Sequence, residues 1–209
     1  VKKFLLFIAG SALFLSGCSN AESELNDFYD EFAASLSEEE GLGELNEQYN
    51  TLEGEKAALQ EELNEASIED INNISSELTE NTEQRLELLQ EESTLIESSN
   101  EVFDSARDAA ENISNEEYKK QADSLITSMD ARYDAHGSMT DTYTEALNAE
   151  QALFEYLGEE DITQDTVDEH LNTIAEYNEP ISEATERFAS ETEKINQLKG
   201  EIEQIFENN

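Results

Sequence analysis

Tryptophan is absent from this 209-residue chain, cysteine and proline occur once each, and Lys and Arg together number 11. Each scarcity excludes something. One thiol, Cys18, cannot close a disulfide within the chain, and with two histidines elsewhere it cannot build a Cys/His zinc cluster. With one proline and eight thinly spread glycines, little interrupts a helix, and strand-like alternation is missing. No glycine-rich phosphate loop and no calcium loop of the EF-hand pattern is present. The few cations face 52 Asp and Glu, for a net charge of −41. Nucleic acid is thereby excluded as a partner bound through counterion release, and anionic lipid headgroups are repelled.

What the chain has is acid and regularly placed apolar residues. Hydrophobic content is 37%, below the average of soluble domains. Such a composition leans toward disorder, but the spacing of the apolar residues predicts order. The excess acid reads as a solvated surface suited to a salty or alkaline medium.

The first residues are VKKFLLFIAGSALFLSGC. Lys2 and Lys3 precede an apolar run from Phe4 to Phe14, too short for the roughly 20 residues of a membrane span. Positive flank, short apolar core and small residues are the pattern of a secretory leader. Leu15-Ser16-Gly17-Cys18 then resembles the bacterial lipobox, in which the thiol receives a diacylglycerol and the chain is cut before it. Residues 1–17 are therefore read as a leader, 18–24 as a lipidated N-terminus and polar tether, and 25–209 as a helical domain. Two or more acyl chains such as palmitate, at about 0.8 kcal/mol per buried CH₂, hold stably where one does not. Cleavage removes two positive charges and no acid, so the mature chain is more acidic still.

Four helical segments follow. The first, from about Glu22 to Glu65, carries Leu25, Phe28, Phe32 and Leu36, breaks at SEEEGLG, and resumes as Leu45, Tyr49, Leu52, Leu59 and Leu63. Continuity through Gly41 and Gly43 is left open. The second begins at Ser67, a good N-cap. Its apolar residues recur as pairs every seven: Leu88-Leu89, Leu95-Ile96, Val102-Phe103, Ala109-Ala110. A pair per heptad suits a helix with more than one neighbour. The third follows a capping box, Ser114-Asn115-Glu116-Glu117, and ends at Gly158. The fourth starts from Thr163, with Ile162 and Val167 placed as a staple, and contains Pro180, expected to kink or break it. Helices of roughly 40–45 residues span about 60–68 Å. With short loops they predict an all-α fold, an elongated antiparallel up-and-down bundle with coiled-coil-like packing.

Catalytic chemistry is not visible. Acid pairs are everywhere, so none stands out as a dyad across a cleft. His136 could ligate a metal with Asp130 or Asp134, but packing is the favoured role; His170 is expected exposed. Tyr118, Tyr133, Tyr143 and Tyr156 could stack sugars, but at helical spacing they read as core with hydroxyls at the edge. Arg132 stands out among so few cations and is expected to pair with acids across the bundle, as are Lys194 and Lys199. Acid-rich faces could hold Ca²⁺ or Mg²⁺ diffusely, without a specific metal site. No cofactor is expected.

The lipobox, the long acidic helices and the motifs Arg132-Tyr133, Tyr143 and Phe188…Thr192…Asn196…Lys199 together resemble the YkyA-type cell-wall binding lipoproteins of Gram-positive bacteria. The resemblance covers essentially the whole chain. It implies a helical body on the outer face of the cytoplasmic membrane, held in the bilayer through Cys18, non-enzymatic, meeting cell-wall polymer or an envelope protein. It identifies no catalytic residue. The acidity departs from it, because a wall rich in anionic polymer repels such a body unless divalent cations bridge them or neutral groups make the contacts. A solute-binding lipoprotein of a transporter and a wall-modifying enzyme are the alternatives; the first typically has α/β lobes, which this pattern does not supply.

Overall fold

The computed structural model describes residues 20–208. Cys18 and its lipobox lie outside the described residues. Among those described there are six helices and no strand: α1 (Asn20–Ser37), α2 (Leu42–Glu65), α3 (Ile68–Glu111), α4 (Glu116–Leu157), α5 (Gln164–Ala175) and α6 (Asn178–Asn208). The all-α bundle follows the predicted order. Residues 20–24, read as a tether, are instead the start of α1.

The first and fourth predicted segments are each divided. At SEEEGLG the amides of Glu38, Glu39, Glu40 and Leu42 bond three residues back, at 3.0–3.3 Å, and the helix unwinds into a turn. Gly41 lets the turn sit close to α3: a Cβ there would lie 2.9 Å from Leu95 Cδ1 and would make that side-chain end shift. In the fourth segment the break falls between Ala175 and Asn178. Pro180 thus sits in the first turn of α6, where a missing N–H leaves no bond unmade.

The chain forms two compact units. Among the described residues, one comprises 20–43, Thr94–Gly137 and 185–208; the other comprises Glu44–Ser93 and Ser138–Ala184. The first unit therefore packs α1, the end of α3, the start of α4 and most of α6. Its core gathers the predicted α1 stripe (Leu25, Phe28, Phe32, Leu36) with Ile96, Phe103, Leu125, Met129, Ile195 and Ile202. The heptad pairs of α3 divide their labour: Ile96, Phe103 and Ala110 are buried while Leu95, Val102 and Ala109 are half-buried. That is the two-neighbour geometry predicted for this helix.

The second unit packs α2, the start of α3, the end of α4 and α5 around a thinner core of Leu78, Leu153 and Phe154. Neither α2 nor α5 has a fully buried residue. Ile162, expected to staple α5 with Val167, is exposed, as is Leu171 at 50%.

Caps explain most boundaries. Thr163 Oγ1 accepts from the Thr166 N–H at 3.3 Å, as expected. The cap of α4 is Asn115 rather than Ser114: its Oδ1 accepts from the Glu117 and Tyr118 amides at 2.9 and 3.1 Å. Ser114 instead donates its N–H and hydroxyl to Glu24 Oε2, both at 2.7 Å, tying the turn to α1. These bonds hold the exposed Glu24 carboxyl below its usual pKa. Ser67 opens α3 through its carbonyl, while its hydroxyl donates to Asp70 at 2.6 Å. Lys119 Nζ covers the Ala110 carbonyl at the end of α3, at 3.1 Å.

Candidate functional site

The scarce cations organise the polar interior of each unit. Arg132, on α4, falls seven residues after Leu125 and seven before Met139, so it is carried on the apolar face and is 3% exposed. Its Nη1 and Nη2 donate to Glu39 Oε1 and Oε2 at 2.7 and 2.6 Å. This is the forked geometry that guanidinium makes best with carboxylate. Its Nε donates to Thr192 Oγ1 at 3.2 Å, and its plane lies 4.8 Å from the Phe188 ring centre. His136 packs on the other contact of Phe188, ring centres 5.4 Å apart. Ser99 Oγ donates to Glu39 Oε1 at 2.8 Å and lies 2.9 Å from the Tyr133 hydroxyl. Burial pushes the Tyr133 phenol up to about 12.

The expected pairing of Arg132 with an acid across the bundle is thus realised, and Glu39 comes from the very turn that divides the first segment. His136 is buried, as favoured. Lys194 is a correction: it pairs along its own helix, with Glu191 at 3.4 Å; Lys199 meets Glu203 on its own helix at 3.6 Å. Asp130 salt-bridges Arg107 at 2.5 Å, and no cluster of three or more metal-ligating side chains occurs among the described residues.

The second unit holds a parallel arrangement that sequence reasoning missed. Arg85, on α3, is 1% exposed. It donates to Glu53 Oε1 and Glu150 Oε2, both at 2.6 Å, and to Asn81 Oδ1 and Thr82 Oγ1 at 3.0 Å. Lys56 Nζ bridges the same two carboxylates at 3.2 and 3.1 Å. Burial alone lowers the guanidinium pKa, but Glu150 and Glu53 outweigh it and the net shift is upward. Tyr49 beside them is pushed up by burial and then by Glu53. Register was the available signal: Arg85 stands seven after Leu78 and four before Leu89, and Lys56 fills the seven-residue gap between Leu52 and Leu59.

Three of the four tyrosines on α4 are occupied within the fold. Tyr133 meets Ser99; Tyr143 packs edge-on to Tyr49, ring centres 6.4 Å apart. Tyr156 accepts from the Thr163 N–H at 2.8 Å and packs on His170, which is half-buried rather than exposed. Tyr118 differs. With Gln121 it forms one wall of a hollow of about 450 Å³ between the start of α4 and the end of α6, opposite Glu201, Gln204, Ile205 and Asn208.

A family model described as "YkyA: Putative cell-wall binding lipoprotein" matches residues 23–205. The chain belongs to the YkyA family. It is 25% identical over 194 residues to "Uncharacterized lipoprotein YkyA" of Bacillus subtilis (strain 168), covering 91% of this chain and 86% of that one. The fold matches the crystal structure of a conserved protein of unknown function from Staphylococcus aureus, with a TM-score of 0.80 and 22% identity over 87% of this chain and 93% of that one. Of the motif residues that carry the YkyA resemblance, the buried Arg132 and Thr192 and the half-buried Phe188 form a single contact set, with Tyr133 joined to it through Ser99 and Glu39. Asn196 and Lys199 are half-buried further along α6, and Tyr143 belongs to the other unit. None of the described helices is long and apolar enough to cross a membrane.

Proposed function

We propose that the protein is a non-enzymatic envelope lipoprotein. Lipid on Cys18 holds it on the outer face of the cytoplasmic membrane, and its helical body binds cell-wall material. The observation that supports this best is the family match over residues 23–205, joined to a lipobox that ends at Cys18. A binding rather than a catalytic role is supported by where the chemically capable groups stand. Arg132, Arg85 and His136 are buried and engaged in packing, where a substrate does not reach them.

The bundle presents mostly acid to solvent, so contact with the wall falls to neutral groups or to bridging divalent cations. The test has two parts. Cys18→Ser releases the protein from the membrane fraction if lipid holds it there. The purified full chain sediments with isolated cell wall, with or without Mg²⁺. Absence of sedimentation under both conditions removes wall binding and leaves an envelope protein as the partner.

A further inference from the structure

We infer that the hollow between the start of α4 and the end of α6 binds an uncharged saccharide, and that Tyr118 is its stacking platform. The inference rests on the wall-binding reading and specifies its ligand. The hollow lies within the first unit and is made by two helix faces: Tyr118 and Gln121 one turn apart on α4, and Glu201, Gln204, Ile205 and Asn208 in register on α6. The hollow is a shallow, open depression of about 450 Å³, wide enough for a sugar ring or two to lie against its walls without being enclosed.

The lining is chemically selective. Tyr118 is half-buried against the core, so its ring is fixed at the wall of the hollow, and an aromatic face takes the apolar C–H face of a sugar ring. Gln204 and Asn208 are exposed amides that offer donors and acceptors, the match for hydroxyl and acetamido groups, with one Asn208 N–H already given to the Gln204 carbonyl at 2.7 Å; Gln121 is half-buried with its Oε1 shut from solvent.

Charge decides between wall components. Glu201 and Glu117 both line the hollow and are exposed, on a chain of net charge −41. They repel a phosphate-bearing polymer but accept hydrogen bonds from neutral hydroxyls. The neutral glycan is therefore the part of a wall this surface can approach without bridging cations. A peptide probe tests whether the Tyr118 ring and Ile205, the apolar part of the lining, take an amino-acid side chain instead.

The test is calorimetric titration of the purified full chain with soluble N-acetylglucosamine oligomers, beside a poly(glycerol phosphate) and a short wall-type peptide. Saccharide binding is expected, with neither other probe bound. Gln204→Ala, at an exposed position, is expected to weaken it about three- to tenfold, the worth of one net hydrogen bond, without changing the melting temperature. Tyr118→Leu is expected to weaken it more, and Tyr118→Phe to preserve the stacking share. Binding of the peptide or the phosphate polymer instead, no saccharide binding, or saccharide binding indifferent to both Gln204→Ala and Tyr118→Leu overturns the inference. Wall sedimentation separates it from the wider reading: a chain that sediments with wall regardless of Gln204 and Tyr118 keeps wall binding and loses this site. A chain that binds the saccharide but not the wall does the reverse.

Discussion

Arg132 and Glu39 stand 93 residues apart in the chain and meet in a buried, forked ion pair at 2.6–2.7 Å. Glu39 lies in the turn where α1 gives way to α2, so the pair fastens that turn to α4. Thr192 and Ser99 add bonds from α6 and α3 to the same two side chains. Removing one partner strands a charge away from water. Glu39→Ala is therefore expected to lower unfolding free energy by about 3–5 kcal/mol, read by urea denaturation. The double variant Glu39→Ala with Arg132→Met should lose clearly less than the two single losses combined. A single variant within experimental error of the parent would show that the pair does not hold the turn.

Arg85→Met should cost less, about 1–3 kcal/mol, although Arg85 is the more deeply buried arginine. The reason is its partners: the side chain of Glu53 is 39% exposed and that of Glu150 17%, so both can recover water, and Lys56 still bridges them. Hydrogen exchange should show lost protection chiefly in α2 and the neighbouring parts of α3 and α4. A loss larger than that of Glu39→Ala would contradict the ranking by exposure.

Alkaline pH should unfold the protein through its tyrosines. Tyr133 titrates at about 12 when folded because burial disfavours the phenolate; Tyr29 and Tyr49 are shifted the same way, Tyr29 also by its 2.5 Å bond to Glu203. The folded chain thus holds these protons more tightly than the unfolded chain, whose phenols titrate near the usual value of about 10. Their contribution is complete below that value and falls as pH rises from about 10 toward 12. Circular dichroism and phenolate absorbance followed together should show late ionisation coupled to unfolding. Tyr133→Phe should be nearly neutral at pH 7, because Ser99 keeps Glu39 as its acceptor, and should move the alkaline transition upward.

Salt should stabilise the fold. With 52 acidic residues against 11 basic ones, long-range repulsion between exposed carboxylates opposes compaction. Raising ionic strength from about 0.01 to 0.15 M shortens the screening length from roughly 30 to 8 Å and should raise the melting temperature. The buried Arg132–Glu39 pair is shielded from this screening. An equal or lower melting temperature with salt would mean that the surface acids do not strain the fold.

Periodicity in the sequence settled most of the secondary structure, because a helix is a local object. Apolar steps of three, four and seven placed the stripes of α1 and α3, and Thr163 and Ser67 marked real helix starts. The depth of the interruptions was less legible. Whether SEEEGLG bends or breaks depends on Leu95 packing against Gly41 and on Arg132 drawing Glu39 inward, and both belong to other helices.

The interior pairing was the least legible part. Arg132 stood out as a rare cation, yet an arginine among 52 carboxylates has far too many candidate partners for spacing to choose between them. Arg85 went unnoticed although it occupies an apolar register. The hollow beside Tyr118 is likewise invisible along the chain, since its walls lie some eighty residues apart in sequence. What the sequence by itself determined is the all-α character, the apolar stripes and the acidity, all carried by neighbours within a few turns. What the tertiary structure alone decided is which carboxylate neutralises each buried arginine, where the segments divide, and which tyrosine lines a hollow. Those choices depend on contacts between distant segments, and packing selects among charges that the sequence leaves equivalent.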